Sequence, residues 1–198
     1  MQIKILEVGQ LQTNCYVVTD ENSLKCAVID PGAESNTILN YIEETKLTVA
    51  AIFITHGHFD HVGALESLSR ETSAPVFIHA EDASAAEGIA NLKNYKDGDK
   101  ISIGELMFEV IETPGHTPGG VCLKVQDALF TGDTLFRDSC GRTDTPGGDM
   151  DTLLCSLRKL YNLSGDYEVY PGHDTHSTLN RERRQNYYMK YAIEVFKG

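Results

Sequence analysis

Hydrophobic residues alternate with polar ones with period two at the start of the chain, across residues 2–8, and the apolar runs 15–19 and 25–30 also read as strands. Turn formers such as Asp20-Glu21-Asn22-Ser23 separate these runs, so an antiparallel meander is expected. Ile38, Leu39, Tyr41 and Ile42 then fall at helical spacing within residues 34–46. The wholly apolar run 49–54 reads as a buried strand, followed by a helix over about 62–71, a strand at 75–79 and a short Ala-rich helix near 80–87. Residues 101–103 and 106–111 flank Gly104-Glu105 as a hairpin, and strands at about 120–125 and 128–131 come next. Met150, Leu153, Leu154, Leu157, Leu160 and Tyr161 form an amphipathic helix over 150–162, a last strand lies at 167–170, and a final helix is expected over 179–197. Strands alternate with helices and no low-complexity tract interrupts them. The pattern predicts a single α/β domain over residues 1–198, with helices packed outside two sheets.

The composition narrows the function classes. A chain of 198 residues with 41% hydrophobic content can fill a core alone. Its formal charge of −12 argues against nucleic acid or an anionic membrane as partner and favours a small molecule. No run reaches transmembrane length and the N-terminus lacks the apolar stretch of a signal peptide, which points to the cytoplasm. The five cysteines are scattered, with no Cys-x-x-Cys pair, so no disulfide framework is expected. Cys15, Cys26 and Cys122 lie in apolar strand runs and read as small buried hydrophobes, whereas Cys140 lies in a loop.

Residues 55–61, Thr-His-Gly-His-Phe-Asp-His, follow directly on the buried strand. In an extended segment His56 and His58 project to the same side and can grip one ion. Asp60 and His61 come where the chain bends toward a helix, so they point elsewhere and suit a second ion. Three further strand ends carry a glycine and then a metal-binding side chain: Pro114-Gly115-His116, Thr131-Gly132-Asp133 and Pro171-Gly172-His173. Each is weak alone. Together with the first motif they supply a complete two-metal set.

These motifs, with Asn14-Cys15-Tyr16 and Ile29-Asp30-Pro31-Gly32, occur in the order found in the metallo-β-lactamase superfamily, and the chain resembles its short bacterial glyoxalase II-like hydrolases. The resemblance implies an αββα sandwich. It also implies that His56, His58 and His116 hold one metal, that Asp60, His61 and His173 hold the other, and that Asp133 and a hydroxide bridge them. Zinc is the expected pair, with iron and manganese also compatible with these ligands. The implied reaction is hydrolysis of a thioester, S-lactoylglutathione or a related thiol conjugate, by attack of the bridging hydroxide, which Asp60 orients. Asp30 and Thr55 are expected to orient imidazoles; a turn cap before Pro31-Gly32 is the other reading of Asp30.

The departures concern the substrate. Arg142 matches a basic glutathione contact of full-length glyoxalase II, but Asp144 stands where an aromatic contact is expected, and the C-terminal helical region has no counterpart. Residues Glu182-Arg183-Arg184-Gln185-Asn186 match the short bacterial group instead. True class B β-lactamases typically carry Cys at the Asp133 position and lack a counterpart of His61. The alternatives are a persulfide dioxygenase with a single iron at His56, His116 and Asp133, a lactonase, and a non-catalytic metal-binding protein.

Overall fold

The computed structural model describes residues 1–195. The opening meander forms as expected from β1 (Gln2–Val8), β2 (Thr13–Asp20) and β3 (Lys25–Ile29), each antiparallel to the next. Helix α1 (Ser35–Glu44) then crosses over to β4 (Thr48–Phe53), which lies parallel to β3. Next come α2 (Phe59–Val62), α3 (Leu65–Thr72), β5 (Val76–His79) and β6 (Leu92–Tyr95), which complete a sheet of order β1-β2-β3-β4-β5-β6. The second sheet is built from β7 (Lys100–Ile103), β8 (Leu106–Glu112), β9 (Val121–Val125), β10 (Ala128–Gly132), β13 (Glu168–Pro171) and β14 (Ser177–Thr178), in the order β14-β13-β10-β9-β8-β7. A small hairpin, β11 (Leu135–Phe136) and β12 (Ser139–Cys140), follows β10, and α4 (Met150–Tyr161) precedes β13.

Side-chain alternation along the strands explains why the sheets stack. In β2, Cys15 and Val17 pack with Ile38, Leu65 and Leu68 of the helices, while Tyr16 and Val18 face the other sheet. Phe53, Phe108, Leu123 and Phe130 fill the space between the sheets, and Phe53 and Phe108 stand 5.1 Å apart. On the far side of the second sheet, Cys122, Leu129 and Val169 meet Leu153 and Leu157 of α4. Three apolar clusters separate four layers, giving the αββα sandwich.

Some elements differ from the sequence reading. Residues 80–86 form a 3-10 helix rather than an α-helix. Helix formation after the histidine motif starts at Phe59, not near 62, and is interrupted between α2 and α3. The expected helix over 179–197 is two helices, α5 (Leu179–Gln185) and α6 (Tyr187–Val195), and its last two positions lie outside the described residues. The break falls at Asn186, whose backbone is extended and whose Oδ1 accepts from Met189 N. Its Nδ2 donates to the Phe136 and Ser139 carbonyls, so Asn186 serves the β11–β12 hairpin instead of continuing a helix. The sequence reading also missed β6, because Leu92-Lys93-Asn94-Tyr95 lacks apolar alternation.

Candidate metal centre

All seven expected ligands converge at one end of the two sheets. The strand β4 and its continuation deliver His56; His58 is the last extended residue before α2, and the first turn of that helix carries Asp60 and His61. His116 comes from the β8–β9 connection, Asp133 follows β10 and His173 follows β13. Three groupings bring their ligand atoms within 4.8 Å of one another: His56, His58 and His116; His56, His61 and Asp133; Asp60, His61 and His173. The bend at His58 directs His56 and His58 toward His116, and Asp60 and His61 toward His173, while His56, His61 and Asp133 form the grouping between them.

Asp133 lies between the halves. Its Oδ2 stands 3.4 Å from His116 Nε2 and 3.6 Å from His173 Nε2, and its Oδ1 stands 3.5 Å from His61 Nε2. Close approach here depends on glycine: a Cβ at Gly172 would lie 2.2 Å from Asp133 Oδ1 and 2.7 Å from His61 Cε1. Gly132, at φ +46, places its missing Cβ against Thr55 Oγ1 at 2.3 Å.

The outer ring nitrogens are fixed by oxygen acceptors. His116 Nδ1 donates to the Arg142 carbonyl at 2.6 Å and His173 Nδ1 donates to the Leu11 carbonyl at 3.0 Å. A carbonyl only accepts, so each of these Nδ1 atoms carries its proton and, in the neutral ring, leaves the Nε2 lone pair facing inward. His61 Nδ1 lies 3.0 Å from Asp30 Oδ2, the same oxygen that accepts from Thr55 Oγ1 at 2.6 Å. Thr55 Oγ1 is also 3.2 Å from His56 Nδ1. Asp30 and Thr55 thus both orient imidazoles, and the turn-cap reading of Asp30 is too narrow.

The inward atoms are the ones without partners. His56 Nε2, His116 Nε2 and Asp133 Oδ1 are buried with no hydrogen bond. Such atoms cost about 1–3 kcal/mol each when left unpaired, a cost that a cation among them removes. His61 Nε2 and His173 Nε2 face each other at 3.3 Å. Two lone pairs repel at that distance, so a proton or a cation must lie between them. The residues fit a pair of divalent cations.

Electrostatics differ between the halves. Burial, then the neighbouring imidazoles, holds His56 well below its ordinary pKa, and burial followed by His116 lowers His58. For His61 burial opposes charge, yet Asp30, Asp133 and Asp60 overcome it and raise the pKa to about 9. The Asp60 carboxylate, as acceptor for the His173 ring, raises the His173 pKa. Asp60 itself is pushed up by burial, but His173 and His61 bring it down to about 2.

A cavity of about 550 Å³ opens onto this cluster, with Leu11, Phe59 and Phe136 as apolar walls. Arg142 also lines it, but its guanidinium is held by Asp144 through Nε to Oδ1 at 2.7 Å and Nη2 to Oδ2 at 2.9 Å. Cys140 lines the same cavity half-buried, and burial raises its thiol to about 12. Cys15, Cys26 and Cys122 are free and buried. His79 is engaged elsewhere, with Glu112 at 3.1 Å, and His176 stacks on Tyr170.

Other residues that shape the site carry no signal in the sequence. Leu11 acts through its carbonyl, and Asp82 lies in an Ala-rich run without ligand spacing. Glu182, fully buried, accepts from Asp138 N at 2.7 Å and from Asn186 Nδ2 at 3.1 Å, bracing the hairpin that walls the cavity.

Comparison with known proteins agrees with this geometry. The family profile described as Metallo-beta-lactamase superfamily matches residues 8–173. The chain is 34% identical to hydroxyacylglutathione hydrolase GloC of Haemophilus influenzae, over 94% of this chain and 97% of that one. The crystal structure of TTHA1623 in a di-iron-bound form superposes with a TM-score of 0.83 at 35% identity, covering 93% of this chain and 99% of the other. The BLEG-1 B3 metallo-beta-lactamase superposes with a TM-score of 0.84 at 31% identity, covering 95% and 99%. That last likeness is not what the Asp133 and His61 positions suggest, because the two chains share fold and sequence well beyond those two positions. No helix among the described residues is long and apolar enough to cross a membrane. The chain belongs to the metallo-β-lactamase superfamily, whose fold binds divalent metals.

Proposed function

We propose that the protein is a cytoplasmic, dinuclear metal-dependent hydrolase of small-molecule thioesters, with zinc as the preferred metal. His56, His58 and His116 would hold one cation, Asp60, His61 and His173 the other, and Asp133 would join them. The observation that carries this reading is Asp133, whose carboxylate lies between the two halves of a histidine cluster, 3.4 Å from His116 on one side and 3.5 and 3.6 Å from His61 and His173 on the other, in the lining of an open cavity.

When bound, two divalent cations supply Lewis acidity and lower the pKa of a shared water to near neutrality. The chain does the rest. Asp60 Oδ2 accepts from Thr13 Oγ1 at 3.3 Å and stands 3.2 Å from His173 Nε2, which aims the carboxylate at the cavity floor, where it orients the attacking water. Leu11, Phe59 and Phe136 give the cavity apolar walls against which a thioester would lie. A thiolate leaves readily, since its conjugate acid has a pKa of about 8.5, so its departure needs little general-acid help. The likeness to GloC supports a glutathione thioester, and Arg142 is the residue for its carboxylate once Asp144 yields. An exposed ion pair of this kind is weak, so an incoming carboxylate can displace it.

The test is turnover of S-D-lactoylglutathione by protein reconstituted with zinc or iron, beside a chelator-treated sample, a lactone, a persulfide with oxygen monitoring, and a cephalosporin. Chelator-sensitive loss of the thioester with two metals per chain is expected. Turnover confined to the lactone, the persulfide or the cephalosporin would replace the thioester reading with that chemistry. Failure on every substrate, together with an unchanged cellular role for Asp133→Ala, would make the protein a non-catalytic metal binder.

A further inference from the structure

The carboxylate of Asp82, in the 3-10 helix Ala80–Ala86, is buried and lies outside the ligand set. Its Oδ2 accepts from Gly57 N at 2.8 Å and from Thr117 Oγ1 at 2.7 Å, and its Oδ1 accepts from Gly119 N at 2.8 Å. Gly57 separates His56 from His58, and Thr117 and Gly119 follow His116. One carboxylate therefore clasps the two loops that carry the three imidazoles of one half. The approach at Gly119 requires glycine, since a Cβ there would lie 2.7 Å from Asp82 Oδ1, and the one at Gly57 is tight, with a Cβ 3.1 Å from Asp82 O.

The other half is held without Asp82. Asp30 orients His61, the Leu11 carbonyl orients His173 and Thr13 bonds Asp60. The strands beneath the two clasped loops are joined separately by Val121 N to Thr55 O at 2.9 Å, so the sheets do not depend on the clasp. We infer that Asp82 is a positioning residue for the His56, His58 and His116 half alone, setting the separation of its two loops and hence the affinity of that metal position over the other. This inference rests on the two-metal reading above.

Cobalt(II) titration of the metal-free protein, followed by its visible absorption and by metal analysis, tests both levels. Two equivalents in the unaltered protein are required by the two-metal reading; fewer would defeat that reading before any variant is considered. Asp82→Ala is expected to keep one equivalent at the original affinity and to weaken the other by about 10–100-fold, the usual effect of losing a partner that orients ligands. The weakened equivalent should be the one that survives in His61→Ala, and the double variant should bind neither tightly. Equal weakening of both equivalents in Asp82→Ala, or no weakening of either, overturns the inference. Should Asp82→Ala not fold, Thr117→Val decides: it removes one of the three donors, and a smaller weakening of the same single equivalent is expected, whereas an equal effect on both or none overturns it.

Discussion

Asp30 Oδ2 lies 3.0 Å from His61 Nδ1, and the backbone at Asp30 is left-handed, with φ +50. Asp tolerates that conformation better than most residues, and the twist turns the carboxylate away from the strand and under the ligand loop. Both its oxygens are engaged there, Oδ1 with Thr55 N at 2.7 Å.

Asp30→Asn retains the size but places an amide N–H against the His61 ring or the Thr55 hydroxyl. The His61 ring then loses its acceptor and its inward lone pair is no longer enforced. Metal content measured after dialysis should fall, with a loss of affinity of about 10–100-fold at the position that His61 serves. Unchanged metal content would show that Asp30 acts only as a turn residue.

Protonation of His61 gives the metal-free protein its own pH dependence. Its pKa is higher folded, at about 9, than its ordinary 6.5. The stabilisation is therefore complete below the ordinary value and is lost as pH rises through the folded one. Thermal melts of chelator-treated protein should show stability declining between these values, and His61→Gln should abolish the decline. Metal binding must expel the same proton, so apparent metal affinity should rise over that window.

Asp144 neutralises the one guanidinium among the cavity-lining residues. Asp144→Asn should free Arg142 and lower KM for a glutathione thioester by a few-fold while leaving kcat unchanged. An uncharged thioester should show no change in KM. Equal KM changes for both substrates would remove Arg142 from substrate recognition.

Asn186 holds the β11–β12 hairpin by two carbonyl contacts, at 3.2 and 2.9 Å. Asn186→Ala leaves those carbonyls without their donor and loosens the wall that presents Phe136 and Cys140. Steady-state kinetics should show KM raised more than kcat is lowered, and a thiol reagent should label Cys140 faster than in the unaltered protein. Unchanged labelling would mean that Glu182 alone fixes the hairpin.

Much of this protein is legible in its chain because the relevant physics is local. Period-two alternation in β2 sends Tyr16 and Cys15 to opposite faces whatever lies beyond, and the bend at His58 follows from a strand running into a helix. The spacing of His56, His58, Asp60 and His61 carries its own chemistry for the same reason. Other features depend on contacts across long stretches of sequence. Asn186 breaks a helix because carbonyls some 50 and 47 positions away need its amide. Asp82 reaches Gly57 and Gly119 from opposite directions in sequence. Local periodicity determined the layers, and motif spacing named most of the candidate ligands; the tertiary structure alone decided which carboxylates brace them, because hydrogen bonds between distant segments leave no periodic trace in sequence.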